Sequence, residues 1–221
     1  VFVLTNFADY TIAGGDTDAI LAAGRDVPGV AEAAGRRVAD APVRVGDQTL
    51  LGRLVGLPPD GQPPINGVMM LEGEYLAPGK PDEVLVEKHM AEHFGLAPGS
   101  RLALRAAGGW EPLVMRGEAA SAEYIWPAPS RQEVLASQDD FGVLFVSEAL
   151  LDRLQPGAAV RQAVFTYEDG ADRASVDAAL RAVALANGAV DSFPQADQPS
   201  NAALHEDING FGEMSVMFPV L

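Results

Sequence analysis

Hydrophobic positions in the first quarter of the chain change from an alternating to a helical spacing and back. Residues 1–7, VFVLTNF, alternate as in a β-strand, and a short helix is predicted from its N-cap Asp16 to Arg25. Residues 29–45 and 49–57 then read as two strands, and Gly46-Asp47 between them predicts a hairpin. This part of the chain therefore has a β-α-β pattern.

The middle of the chain has a different pattern of short apolar runs between glycines and prolines. PPDGQPP (58–64) is a break typical of a boundary between structural units. Short strands are predicted at 84–86, 102–104 and 113–115, with one helix of about two turns at 88–94. This part is predicted to be mainly β-structure.

Helix-strand alternation returns from Phe141 onward. FGVLFV (141–146) is typical of a buried strand, and Ser147 is a candidate N-cap for the helix that follows it. A strand at 159–167 precedes a helix from Ala174 to Asn187, which Gly188 ends.

The predicted fold class is α+β with a discontinuous outer half. Residues 1–57 and 140–195 are predicted to form one porter-like β-α-β subdomain, into which residues 58–139 insert a β-rich subdomain. Residues 196–221 are predicted to form a stalk helix that leads to a transmembrane segment.

The stalk prediction depends on a stripe of apolar residues near the C-terminus. Leu204, Ile208, Phe211, Ser215 and Phe218 recur at spacings of four and three, as on one face of a helix. The run MSVMFPVL is apolar, and the sequence begins with the apolar run VFVL, without Met. We therefore expect both termini to lie at a membrane, on the same side of the domain.

Composition excludes several kinds of function. The formal net charge is −16 with two lysines, which argues against binding of nucleic acid or an anionic lipid surface. The chain has no cysteine, so thiol catalysis and cysteine-ligated metals are excluded. It also has no G-x-x-x-x-G-K-[ST] or G-x-S-x-G motif, which argues against an ATPase and an α/β-hydrolase.

One motif suggests metal chemistry. His89, Glu92 and His93 spell H-x-x-E-H, the inverted zinc-peptidase signature. On a helical wheel Met90, Ala91 and Phe94 form the core face, which leaves both histidines on the polar flank of a short helix without an evident third ligand. We interpret them as surface histidines, and predict no metal, cofactor or catalytic residue; a zinc peptidase stays as a weaker alternative.

The segment around this motif resembles another kind of protein. Residues 71–104, with Glu83-Val84-Leu85-Val86, Ala91, Gly95-Leu96 and Pro98-Gly99-Ser100, are similar to a segment of bacterial ABC-transporter permeases of the FtsX-like family, which carry a MacB-type periplasmic core domain. AEYIWPAP (122–129), DDFGVLFV (139–146), DQPSNAALHEDI (197–208) and the terminal MFPVL are similar to one branch of that family. The resemblance runs along the whole chain in the expected order.

The resemblance implies a non-catalytic domain outside the cytoplasm, between two transmembrane helices of a permease in the cell inner membrane. It implies that a separate cytoplasmic ABC ATPase subunit hydrolyses ATP and that the stalk carries the movement to this domain. A second permease subunit and a periplasmic partner are further expected partners. The alternative is a binding module that captures a ligand in the cleft between the two halves.

Candidate contact residues lie in the proline-bracketed loop of the middle segment. Glu123, Tyr124 and Trp126 are predicted to contact a partner or to pack between the two halves. Asp207 and Asn209 resemble part of a calcium loop that lacks its other ligands, so we interpret them as polar residues of the stalk.

Overall fold

Ten strands and four helices form the part of the chain that the computed structural model describes, residues 6–124 and 139–198. The strands are β1 (Tyr10–Ala13), β2 (Val30–Val45), β3 (Gln48–Leu57), β4 (Met69–Gly73), β5 (Glu83–Glu87), β6 (Arg101–Ala106), β7 (Gly109–Ala120), β8 (Phe141–Ser147), β9 (Ala159–Tyr167) and β10 (Asp191–Pro194). The helices are α1 (Thr17–Arg25), α2 (Lys88–Phe94), α3 (Glu148–Leu151) and α4 (Arg173–Ala186), and 3-10 turns are formed by Ala122–Tyr124 and Gln195–Asp197.

One end of the sheet is a helix-covered antiparallel layer. Its strand order is β10-β1-β9-β2, and the chain runs β1-α1-β2 and then β9-α4-β10, which is the split β-α-β arrangement of ferredoxin-like folds. Helices α1 and α4 cover one face, where Ile20 and Leu180 pack with Ile12 and Phe165. All four side chains are fully buried, so this face is the core of the layer.

The other end of the sheet closes on itself. The order β2-β3-β8-β5-β7-β6 returns to β2, because β6 pairs with both β7 and β2. The inside of this six-stranded ring is filled by side chains that include Val43, Leu104, Leu113, Met115 and Leu144. A β-strand at such a closed seam has no unpaired edge to protect.

The described layers agree with the mixed α and β class that the sequence predicts. The helix N-capped by Asp16, the hairpin at Gly46-Asp47 and the helix ended by Gly188 are confirmed. The Asp16 carboxylate accepts a hydrogen bond from the backbone N–H of Ala19. Ser147 takes the N-cap position of α3, but its buried hydroxyl has no hydrogen-bond partner among the described residues, and this helix ends at Leu151.

Three strands, β1, β4 and β10, escaped the sequence analysis. Strand β1 is buried on both faces, and β4 is largely exposed, so neither alternates between apolar and polar side chains. Residues 1–5 of the strand predicted at residues 1–7 lie outside the described residues. The same holds for residues 199–221 of the predicted stalk helix.

The subdomain boundaries stay a prediction. Strands β4 to β7 come from residues 58–139, and the other strands come from the two flanking segments. Hydrogen-bonded pairs β5–β8 and β2–β6 join the two portions. The predicted insert therefore shares one hydrogen-bonded sheet with the rest of the chain.

Candidate functional site at the junction of the two chain ends

The chain enters and leaves the described structure at one place. Strand β1 pairs with β10 in antiparallel register, so the start of the first strand lies beside the end of the last one. The backbone N–H of Gln195 donates to the carbonyl oxygen of Asp9 at 2.8 Å, and its side-chain amide donates to the carbonyl oxygen of Ala8 at 3.2 Å. The two ends are thus held directly to each other.

The entering segment is fastened to the body by Asn66. Its side-chain oxygen accepts from the backbone N–H of Ala8 at 2.7 Å, and its own N–H donates to the carbonyl of Asn6 at 3.0 Å. Asn66 has a φ of 58°, a left-handed conformation that asparagine tolerates better than most residues. The side chain is buried, and its amide nitrogen has no hydrogen-bond partner within residues 6–124 and 139–198.

The leaving segment is fastened by Glu123. The side-chain amide of Gln198 donates to the backbone carbonyl of Glu123 at 2.9 Å. The Glu123 carboxylate in turn forms a bidentate ion pair with Arg36 in the middle of β2, at 2.5 and 2.6 Å. The third guanidinium nitrogen, Nε of Arg36, donates to the side-chain oxygen of Gln162 on β9.

This ion pair is removed from water. Side-chain exposure is 11% for Arg36 and 5% for Glu123. Burial alone lowers the pKa of Arg36, but the charge and hydrogen bonds of Glu123 outweigh it and raise that pKa above its usual value. The guanidinium is therefore charged at every physiological pH, and it depends on Glu123 for compensation.

Tyr124 connects the junction to the core of the sheet. Its ring is buried and meets Phe145 of β8 edge-on, with centroids 6.2 Å apart. Burial, followed by the nearby Glu123 charge, raises the pKa of the Tyr124 phenol, so the hydroxyl stays neutral. Glu123 and Tyr124 thus lie at one place, whereas Trp126, the third predicted contact residue, lies outside the described residues.

A cleft of about 430 Å³ opens next to the junction. It lies between strands β2 and β9 and the proline-rich loop, with Ala34, Ile65 and Val164 on its apolar floor. Arg36, Arg37 and Arg161 contribute to its lining. Each guanidinium is paired with a carboxylate, so the cleft has little uncompensated positive charge.

The side chains of the H-x-x-E-H helix, α2, have polar partners of their own. His89 Nδ1 is 2.9 Å from Glu87 Oε1, and His93 Nε2 is 2.8 Å from Asp139 Oδ1. Glu92 pairs with Lys88 at 3.6 Å. In the described part of the chain, no three His, Cys, Asp or Glu side chains are grouped so that they could hold a metal ion.

Sequence analysis did not single out Arg36, Asn66 or Gln198. Arg36 is one of two adjacent arginines in a strand, and only the fold shows which of them is buried. Asn66 had a local signal, since Asn-Gly is a turn dipeptide that favours positive φ. The pairing of Arg36 with Glu123 spans 87 positions, which no local pattern indicates.

No helix within residues 6–124 and 139–198 is both long and apolar enough to cross a membrane. No protein-family model matches the sequence. No curated protein matches it significantly either.

Several solved structures are similar to this chain. The periplasmic region of MacB from Actinobacillus actinomycetemcomitans has 11% identity and a TM-score of 0.47, covering 91% of each chain. The extracellular domain of the ABC-type transporter YknZ from Gram-positive bacteria has 14% identity and a TM-score of 0.47, covering 84% of this chain and 99% of that one. A domain assigned to a permease protein from Porphyromonas gingivalis has 16% identity and a TM-score of 0.44, covering 83% of this chain and 84% of that one.

Proposed function

We propose that the chain is the non-catalytic extracytoplasmic domain of an FtsX-like ABC transporter permease subunit, and that it passes movement of the membrane helices to a substrate or partner outside the cytoplasm. The observation that carries this proposal is the junction, where residues 6–9 and 195–198 meet and are hydrogen-bonded to the same body. The order of the family motifs along the sequence supports it independently.

A domain inserted between two membrane helices needs its ends on one side. Here residues 6–9 and 195–198 are adjacent, so both continue from the same side of the domain. A pull on the leaving segment acts through Gln198 on Glu123, and through the buried ion pair on Arg36 in β2. Strand β2 belongs to both the helix-covered layer and the closed ring, so the movement would reach the whole sheet.

The proposal assigns ATP hydrolysis to a separate cytoplasmic ATPase subunit, since the chain has no P-loop sequence. The permease would lie in the cell inner membrane, with this domain in the periplasm or outside the cell. A second permease subunit and a periplasmic partner complete the proposed assembly.

Hydrogen–deuterium exchange in the intact permease–ATPase complex tests the coupling. We expect ATP to change exchange at amides 195–198 and 121–124 together. In Gln198→Met the change at 195–198 should persist, while the change at 121–124 should be lost, because the bond to Glu123 is removed. The matched control, Gln155→Met, changes an exposed glutamine and should leave both responses intact. An ATP response at neither segment would contradict the proposal.

A second candidate function is capture of a small ligand in the cleft beside the junction. The observation in its favour is an apolar floor bordered by guanidinium groups in a volume of about 430 Å³, which is ordinary for a small-molecule site. Ligand screening by melting temperature tests it: a stabilising compound should lose its effect in Ile65→Trp, which fills the floor, and keep it in the exposed control Leu185→Trp.

A further inference from the structure

An exposed face of the closed ring carries arginines without acidic partners. Arg44 on β2 and Arg101 and Arg105 on β6 form no ion pair with any described residue. Elsewhere in the described chain, seven arginines, among them Arg36 and Arg116, pair with Asp or Glu, whereas Arg25 and Arg181, on the helices, do not. In a chain of net charge −16, this face is therefore a local island of positive charge.

The register of the strands places these groups side by side. Arg44 lies opposite Ala103, which is between Arg101 and Arg105 on the same face of β6. Arg105 lies opposite Trp110 of β7. The intervening residues Val43, Leu102 and Leu104 point the other way and are buried inside the ring.

Trp110 orders two of the guanidinium groups. The Cζ atom of Arg44 lies 4.0 Å from the centroid of the tryptophan ring, and that of Arg105 lies 6.0 Å away. A guanidinium stacked on an aromatic ring keeps its N–H edge free to bind a carboxylate in bidentate fashion. Stacking on Trp110 restricts the two arginine side chains before a ligand binds, so less side-chain entropy is lost on binding.

Exposed apolar side chains flank the arginines. Val114, opposite Arg101, is 39% exposed, and Leu51 on β3 is 40% exposed. Pro42, opposite Leu51, and Pro112, opposite Ala103, lie on the same face. Tryptophan and arginine surrounded by apolar side chains is the composition typical of energetically important parts of protein interfaces.

We infer that this face, formed by Arg44, Arg101, Arg105, Trp110, Val114 and Leu51 and here called the Trp110 face, docks a short acidic and apolar segment of a partner protein. Arg101 and Arg105 are about 13 Å apart along the strand, so the face accommodates only a few carboxylates. A nucleic acid or an anionic bilayer carries negative charge over a large area, so it would be repelled by the net negative charge of the remaining surface. A short acidic segment fits because its negative charge covers an area no larger than the positively charged face.

The position of the face is independent of the junction. Strand β2 passes the level of Tyr10 at Ala33 and reaches Arg44 eleven positions later, about 36 Å along an extended strand. The inference therefore goes beyond the proposed coupling function, and it can hold or fail separately.

Fluorescence anisotropy with a labelled probe tests the inference. The probe is a twelve-residue synthetic peptide of Glu-Glu-Leu repeats, and its control has Gln in place of every Glu. We expect the Glu peptide to bind the 221-residue chain, and to bind at least about tenfold more weakly in Arg44→Ala/Arg105→Ala. The exposed arginine control Arg181→Ala should bind like the original chain. Trp110→Phe should weaken binding less than the double arginine variant.

Three outcomes would overturn the inference. The first is equal binding of the Glu and Gln peptides, and the second is unchanged binding in the double arginine variant. The third is Arg44- and Arg105-dependent binding to vesicles of equal parts phosphatidylglycerol and phosphatidylcholine without binding of the Glu peptide, which would identify a lipid surface instead. Circular dichroism of each variant establishes that it is folded before binding is compared.

Discussion

Strand β2 carries two arginines with opposite surroundings. Arg36 is buried at the junction of the chain ends and is bonded through all three side-chain nitrogens to Glu123 and Gln162. Arg44, near the C-terminal end of the strand, is exposed and stacks on Trp110 without a carboxylate. All three guanidinium nitrogens of Arg36 donate hydrogen bonds inside the protein, whereas the guanidinium of Arg44 forms no ion pair with any described residue. The same residue type is thus part of the interior in the middle of β2 and exposed near the C-terminal end of that strand.

Breaking the buried pair should have the largest effect. Arg36→Met removes the guanidinium that pairs with the buried Glu123 carboxylate, which should lower the free energy of unfolding by about 3–5 kcal/mol. Urea unfolding of the 221-residue chain measures this difference. The double variant Arg36→Met/Glu123→Leu should regain most of the loss, because no buried charge remains uncompensated. A double variant as unstable as the single one would mean that the pair stabilises the fold by its own attraction.

Asn66 tests the other fastening of the junction. Asn66→Ala leaves the buried N–H of Ala8 without its acceptor and replaces asparagine by a residue that tolerates a positive φ less well, so a loss of about 1–3 kcal/mol is expected in the same unfolding experiment. Asn66→Gly removes the same hydrogen bond but tolerates the backbone conformation, and should cost less than the alanine variant. Equal losses would show that the backbone conformation contributes nothing measurable.

His89 is an intermediate case between the buried and the exposed arginine. Its hydrogen bond to Glu87, and then the charge of that carboxylate, raise the pKa of the imidazole above the usual 6.5 against the opposing effect of burial. A raised folded-state pKa stabilises the fold fully below the unfolded pKa, and this contribution is lost as pH rises through the folded value. We expect less than about 1 kcal/mol, since the pair is partly exposed. For His89→Gln, the pH dependence of the melting temperature should flatten between the unfolded-state and folded-state pKa values of His89. An unchanged profile would exclude a contribution of His89 protonation to stability.

The smallest effect on stability is expected at Arg44. Arg44→Ala removes an exposed side chain whose described contact is the stack on Trp110, so the free energy of unfolding should change by less than about 1 kcal/mol. Urea unfolding beside Arg36→Met makes the contrast quantitative. A loss as large as that of the buried arginine would mean that the Trp110 face serves the fold and not a partner.

Local signals were sufficient for much of the secondary structure. Asp16 as N-cap, Gly46-Asp47 as a hairpin turn and Gly188 after α4 each act through the backbone of a few neighbouring residues, so they are readable in the sequence. The return of the sheet from β7 through β6 to β2 is not local. The hydrophobic residues of β2, β6 and β7 predict that these segments are strands, but they do not specify which strands pair with each other.

The junction was predictable only in part. Glu123 and Tyr124 stood out because of their proline-bracketed loop, and both are at the junction in the structure. The H-x-x-E-H spacing was the stronger signal by motif, yet its side chains are hydrogen-bonded to or paired with Glu87, Asp139 and Lys88. The Arg36–Glu123 ion pair joins residues that are 87 positions apart in sequence, and a motif search does not detect such a pair.

Thiol labelling of the full-length protein in intact cells tests the central claim most directly. These 221 residues contain no cysteine, so Leu185→Cys gives this domain one thiol at a position that is 75% exposed, and Leu180→Cys, in the buried face of the same helix, is the matched control. An extracytoplasmic domain predicts that a membrane-impermeant maleimide labels the cysteine at 185 in intact cells and leaves the one at 180 unlabelled until the protein is denatured. Labelling at 185 only after the cells are permeabilised would place the domain in the cytoplasm and contradict the account.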